Sequence, residues 1–258
     1  MKNRIDQLFE TKQKNILSVY LTAGFPNLND TVTIIQELEK NDVDLIEIGM
    51  PFSDPTADGT TIQHSSETAL KNGMSLKLLF GQLKEIRQSV KIPLILMGYI
   101  NPVLHFGIEK FCEKCSEVGI DGLILPDLPL AEYKTHFQKI FLKYGLHNIL
   151  LITPQTSEKR ILEIDEASGG FIYMVSSSST TGASKKAGDF NREYFERIHQ
   201  MKLKNPRLIG FGISDSETFS NACRYANGAI IGSAFIKAIQ KNKNIAENVA
   251  TFVKNIRK

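Results

Sequence analysis

The sequence predicts an α/β protein: one (β/α)8 TIM barrel over residues 1–258, with an additional N-terminal helix. Three observations carry this expectation. One junction recurs along the chain, in which an amphipathic stretch ends at a Gly or Asn turn and a short β-branched run follows, as in LEKNDVDLIEIG and CRYANGAIIGS. The runs are continuously apolar, which is the pattern of parallel strands covered by helices and not of half-exposed antiparallel ones. Eight such runs in 258 residues match the usual size of this barrel, about 250 residues.

Taken in order, the expected strands are 16–24, 44–49, 93–99, 121–127, 147–154, 170–176, 206–212 and 227–233. Ahead of the first, IDQLFETK places Ile5, Leu8 and Phe9 at helical spacing, so it is expected to cover the barrel's lower mouth. Asn29 or Asp30 can cap TVTIIQELEK, and Asp189 or Asn191 can cap REYFERIHQMK. No linker is expected to interrupt the chain. An open doubly wound sheet uses the same alternation, but its G-x-G-x-x-G fingerprint is missing. Gly24 stands alone after the first strand, and GFGIS at 210–214 supplies one pair of glycines far too late.

Composition narrows the function. A net charge of +3 is too mild to imply a nucleic-acid or anionic-membrane partner, and small molecules are the expected ligands. The first residues lack the apolar stretch of a signal peptide, and no segment reaches the ~20 apolar residues that span a bilayer, so the expected location is the cytoplasm. Three cysteines cannot build a disulfide framework. Cys112 and Cys115 in FCEKCSEVG supply at most two metal ligands, and they read as reduced helix residues with no metal.

Active sites on this fold sit at the C-terminal ends of the strands. Along DLIEIG, Ile46 and Ile48 facing the helices would turn Leu45, Glu47 and Gly49 into the barrel. Burial there strips Glu47 of water and raises its pKa toward values useful for proton transfer. The expected strand cores contain no Lys, and their one Arg, Arg207, lies at a lower end, so no cation is placed to pair with Glu47. On the loop that follows, Asp54 reads as an ordinary Asp-Pro turn residue. Asp58 differs, because the Pro- and Gly-rich segment from Gly49 to Gly59 can fold one side chain back over the barrel mouth. Two carboxylates in unequal surroundings can then divide the work of proton donor and charge stabiliser.

GFGIS and IIGSAF, after the last two strands, suggest a phosphate site. Barrels of this kind often bind phosphate there with backbone N–H groups and a short extra helix. Gly212 and Gly232 allow close approach, and Ser214 or Ser233 can add a hydroxyl. SSSSTTGASKKAGD, residues 176–189, is polar and Gly-rich with weak secondary-structure signal. As the loop after the sixth strand it reads as a water-excluding lid.

The chain resembles the tryptophan synthase alpha subunit family over nearly its whole length. LIEIGMPFSDPTADG is the most specific segment, supported by TAGFP, MGYINP, LPDLP, TTG, GFGIS and IIGSAF. The resemblance implies a carbon–carbon lyase of tryptophan biosynthesis that cleaves indole-3-glycerol phosphate to indole and glyceraldehyde 3-phosphate. It makes Glu47 the general acid/base and Asp58 the partner of the indole N–H. It places Tyr20 and Phe211 on the indole pocket, Tyr173 in the active site and Thr181 of the lid against the aspartate, with Gly182, Gly212, Gly232 and Ser233 at the phosphate.

It further implies an α2β2 heterotetramer whose β subunit carries pyridoxal phosphate and receives indole, this chain itself needing no cofactor. The expected contact surface is the upper rim, with Asp54, Pro55 and the segment from Met97 to Phe106, where Val103, Leu104 and Phe106 are taken as exposed. A self-sufficient lyase releasing free indole is the alternative. The lid departs from the family pattern S-R-x-G-V-T-G, with Ser177 for the arginine and Ser179-Thr180 ahead of Thr181-Gly182. Thr60 replaces a proline frequent after ADG. Neither departure touches the two carboxylates.

Overall fold

The computed structural model describes residues 2–176, 192–240 and 244–258. Nine strands lie side by side: β1 (Ile16–Thr22), β2 (Leu45–Gly49), β3 (Leu94–Met97), β4 (Gly122–Ile124), β5 (His147–Asn148), β6 (Leu150–Ile152), β7 (Ile172–Val175), β8 (Arg207–Gly210) and β9 (Gly228–Ile231). Their order is β5-β4-β3-β2-β1-β9-β8-β7-β6, with every pairing parallel. The two ends of this order, β5 and β6, are separated by Ile149 alone, so one interrupted stave closes the barrel.

That interruption is why the expected run 147–154 appears as two strands. His147 and Asn148 pair with β4, and Ile149 still donates its N–H to the Leu123 carbonyl at 2.9 Å. From Leu150 onward the partner is β7. Beside the break, the Ser168 hydroxyl accepts from the Leu150 N–H at 3.2 Å, and Gly169 donates to the Asn148 carbonyl at 3.0 Å.

The strand period of two divides the apolar residues into two cores. Leu17, Val19, Leu21, Ile46, Ile48, Leu94, Leu96, Ile172 and Met174 face outward into the layer beneath the helices. Ile16, Leu45, Ile95, Ile124, Ile149, Phe171, Leu208 and Ile230 fill the barrel interior. The expected orientation of DLIEIG therefore holds. The outer layer is completed by amphipathic helices such as Asp30–Lys40, which buries Ile34, Ile35 and Leu38.

The helix Arg4–Thr11 closes the lower mouth, as its apolar spacing predicts. The Asn3 side chain caps it by accepting from the Ile5 N–H at 2.9 Å. Ile5 is fully buried within the interior cluster, and the Phe9 and Phe171 ring centroids are 5.9 Å apart. Buried Asp121 anchors this end, accepting from Arg4 Nη1 at 2.9 Å, Arg87 Nη2 at 2.6 Å and the Leu94 N–H at 2.9 Å.

Two expectations need correction. Asn29 precedes the helix Asp30–Lys40 but makes no capping side-chain bond; the Asp30 carboxylate turns back to accept from the Asn27 N–H at 3.1 Å. Of the three apolar residues expected on the rim, only Leu104 is exposed. Val103 is fully buried in the outer core, and the half-buried Phe106 ring packs 5.5 Å from Phe80. The helix Ile100–Phe106 thus turns two of the three into the core. Asp189 and Asn191, the expected caps of Arg192–Gln200, lie outside the described residues. Cys112 and Cys115 sit on the buried face of Ile108–Val118, and among the described residues no group of three His, Cys, Asp or Glu is arranged to hold a metal. No helix among them is long and apolar enough to cross a membrane.

Candidate active site

Glu47 is fully buried inside the barrel, one register step across β1–β2 from Tyr20. Its Oε1 accepts a hydrogen bond from the Ser18 hydroxyl at 3.0 Å, and its Oε2 has no partner among the described residues. Among the described residues, no lysine or arginine pairs with it. Loss of hydration therefore dominates and pushes its pKa up to about 8, with the Ser18 bond opposing the rise. At neutral pH Glu47 carries its proton and can donate it.

Asp58 lies on the loop above, half-buried, and burial pushes its pKa up to about 6. The Tyr99 hydroxyl opposes that rise by reaching Asp58 Oδ2 at 3.4 Å, while it accepts from the Ala57 N–H at 3.0 Å. Near pH 7 the group is therefore ionised, the complement of its buried neighbour. Asp54 is exposed, its carboxylate taking the Ser53 hydroxyl, and its carbonyl closes a turn with the Thr56 N–H at 2.9 Å. The turn reading of Asp54 is the observed one.

A cavity of about 200 Å³ opens at the C-terminal ends of the strands, walled by Tyr20, Met50, Met97, Tyr99 and Phe211, with Asp58 at its edge. Such an apolar hollow with few polar groups suits a flat aromatic ligand. A larger hollow of about 790 Å³ lies outside the second loop against Asp54, Pro55, Gln63 and His64, and neither Glu47 nor Asp58 borders it. The smaller one is the candidate site because it joins the carboxylate to the aromatic wall. Glu47 does not border that cavity either; it is the register partner of Tyr20, and the phenols of Tyr20 and Tyr173 are held above their usual pKa by burial first, with the Glu47 and Asp58 charges adding to the rise.

The two tyrosines are seated by glycines. A Cβ on Gly49 would fall 2.0 Å from the Tyr20 hydroxyl, and one on Gly210 would fall 2.1 Å from that of Tyr173. Only the absence of a side chain lets these rings lie across β2 and β8. Phe211 continues the wall, its ring centroid 6.2 Å from that of Tyr173 in an edge-on contact. Its backbone is left-handed, with φ of 68°, and the Ser176 hydroxyl holds its carbonyl at 2.6 Å.

The two glycine-bearing loops lie at the same rim. Gly232 borders Tyr20, whose Cβ would be 3.7 Å from a Cβ at 232, and Ser233 opens the short helix Ser233–Ala238. Gly212 follows Phe211, and a Cβ there would be 3.7 Å from the Ser176 hydroxyl. Ser214 is committed elsewhere: its N–H goes to Thr218 Oγ1 at 3.0 Å and its hydroxyl to Asp215 at 2.9 Å, within the capping box of Ser216–Cys223. Thr181 and Gly182, with the expected lid beyond Ser176, lie outside the described residues.

Sequence reasoning missed Ser18 and Tyr99. Ser18 is two residues before Tyr20 on the same strand, so the period of two already turned it inward. Tyr99 follows the end of β3, where barrel chemistry is sought.

A closed parallel barrel with a carboxyl buried inside it, and a second carboxyl on the edge of an aromatic cavity at the C-terminal ends of the strands, has the build of a barrel enzyme. The sequence profile of the tryptophan synthase alpha chain matches residues 7–258. The chain belongs to that family. The tryptophan synthase alpha chain of Flavobacterium johnsoniae is 62% identical over 240 residues, covering 93% of this chain and 94% of that one. That of Flavobacterium psychrophilum is 58% identical, covering 98% and 99%. Among solved structures, the tryptophan synthase alpha chain of Legionella pneumophila superposes with a TM-score of 0.88 at 31% identity, covering 100% of this chain and 97% of that one. A chain of tryptophan synthase from M. tuberculosis, in an aminoacrylate-bound form, does so at 0.86 and 25% identity, covering 98% of each.

Proposed function

We propose that this chain cleaves indole-3-glycerol phosphate to indole and glyceraldehyde 3-phosphate and passes the indole to a β subunit within an α2β2 assembly. The observation that carries the reading is the unequal setting of two carboxyls at one end of the barrel: Glu47, fully buried with its pKa pushed up to about 8, and Asp58, on the edge of the aromatic cavity with its pKa at about 6. Protonation of indole C3 by Glu47 yields an electrophilic indolenine. Asp58 accepts the N–H and stabilises the positive charge that develops on the ring nitrogen. The Glu47 carboxylate left by donation then takes the proton of the glycerol hydroxyl, the C–C bond breaks, and its electrons return to the ring while the aldehyde forms.

Tyr20, Phe211 and Tyr173 contact the indole in this reading, and Thr181 of the lid meets Asp58. The backbone at Gly182, Gly212, Gly232 and Ser233 holds the phosphate, with the first turn of Ser233–Ala238 supplying N–H groups that have no intrahelical partner. All of these steps use groups of this chain alone; pyridoxal phosphate belongs to the β subunit. The family match and the likeness to a chain described as tryptophan synthase support the partner.

The test is an indole-release assay on the purified chain, with and without a β subunit. Glu47→Gln is expected to fold and to lose at least about 10²-fold in turnover. Retained turnover would refute the assignment of the acid. Strong stimulation by the β subunit, with a mixed species of two chains of each kind by native mass measurement, supports the assembly; high activity alone with no mixed species overturns it.

A further inference from the structure

We infer that Ser18 is a positioning residue for this reaction: by donating to Oε1 of Glu47 it fixes the acid's proton on Oε2, the oxygen without a partner among the described residues. The inference rests on the cleavage reading above and adds which atom delivers the proton and what holds it there.

A neutral carboxyl has one oxygen that accepts and one that donates. Ser18 and Glu47 are both fully buried, and their 3.0 Å bond lies inside the barrel, where no water competes for either oxygen in the way it would at the surface. With Oε1 occupied as acceptor, the proton belongs on Oε2. That oxygen is buried and unsatisfied, an arrangement costly to a fold unless a ligand atom completes it. The backbone makes this geometry hard to lose. Ser18 pairs in register with Leu45 on the neighbouring strand, two residues below the Tyr20–Glu47 pair, so the strand ladder holds its hydroxyl within reach of the carboxyl.

The groups around the carboxyl leave Ser18 as its one hydrogen-bond partner among the described residues. β1 presents Ser18 and Tyr20, and β7 presents Tyr173. The second loop contributes Asp58, which acts on the same two phenols. β3 presents Ile95, the register partner of Glu47, and β4, β8 and β9 present Ile124, Leu208 and Ile230. No cation faces it.

The direction of the Ser18 bond gives the test its sign. A hydroxyl that donates to Glu47 favours the ionised form, so its removal raises the pKa of the acid. A hydroxyl that accepts from Glu47 favours the protonated form, so its removal lowers that pKa. In Ser18→Ala, the alkaline limb of the cleavage rate is expected to move up by about half to one pH unit, and kcat to fall about 3- to 10-fold with KM unchanged. Ser18→Thr, which keeps the hydroxyl, is expected to hold the limb within a few tenths of the wild type. An alkaline limb that stays in place or moves down in Ser18→Ala overturns the inference, as does an unchanged kcat. Failure of the underlying reading shows separately, as turnover retained in Glu47→Gln.

Discussion

The hydroxyl of Tyr20 occupies the space that a side chain at position 49 would need, lying 2.0 Å from where a Cβ on Gly49 would stand. The ring forms one wall of the cavity, so the glycine that makes room for it sets the shape of the site. Gly49→Ala is expected to cost roughly 1–3 kcal/mol through overpacking and to displace the phenol. Combining it with Tyr20→Leu should restore part of that loss, because the clash is specific to the phenol end. Urea denaturation of both singles and the double variant gives the coupling, and strictly additive losses would contradict the contact.

The two carboxyls should give the reaction a bell-shaped dependence on pH. Asp58 acts ionised, so kcat/KM falls as pH drops through about 6. Glu47 acts protonated, so kcat/KM falls as pH rises through about 8. Steady-state rates of the free chain between pH 5 and 9.5 check both limbs, and a flat alkaline side would remove Glu47 as the acid.

The same burial makes Glu47 a liability for stability in alkaline solution. Its folded pKa lies above the ordinary value of 4.5, so the folded state holds the proton more tightly than the unfolded one. The penalty is absent below the unfolded pKa and grows as pH rises toward about 8. Glu47→Gln should therefore be more stable than the parent at pH 9 and lose most of that advantage at pH 4.5. Chemical denaturation at the two pH values measures the difference; equal offsets at both would show that ionisation of this group does not control it.

Asp121 anchors the opposite end of the barrel, with two guanidinium groups and a backbone N–H on one buried carboxylate. Removing it strands Arg87, whose side chain is 17% exposed and whose pKa burial already pushes down to about 10 despite the carboxylate. Asp121→Ala is expected to destabilise the fold by about 3–5 kcal/mol, the cost of breaking a buried pair from one side. Catalysis at the far mouth should persist in the folded fraction. A loss below about 1 kcal/mol by denaturation would show that the network is dispensable.

The barrel was legible because its signals are local. Continuous apolar runs mark strands buried on both faces, and the inward turn of Glu47 follows from Ile46 and Ile48 facing the helices. The break at Ile149 was not legible, since ILLI runs apolar through it without interruption and the bonds beside it come from Ser168 and Gly169, distant in sequence. Val103 misled for a related reason: an apolar residue at a rim reads the same whether its helix turns it outward or into the core. In the site, residue types and loop position marked Glu47 and Asp58. The seating of Tyr20 on Gly49, and the reach of Tyr99 to Asp58, join residues from different βα units that no spacing along the chain reveals.

The helix that seals the lower mouth has a temporal consequence. Its contacts are with chain made much later: Asn3 and Arg4 bond to Asp121, Asp6 meets the His147 ring at 2.9 Å, and Phe9 packs on Phe171. Eight residues are too few to persist as a helix unaided in water. The helix must therefore wait for chain as far on as Phe171, and the stopper goes in after the vessel has been built.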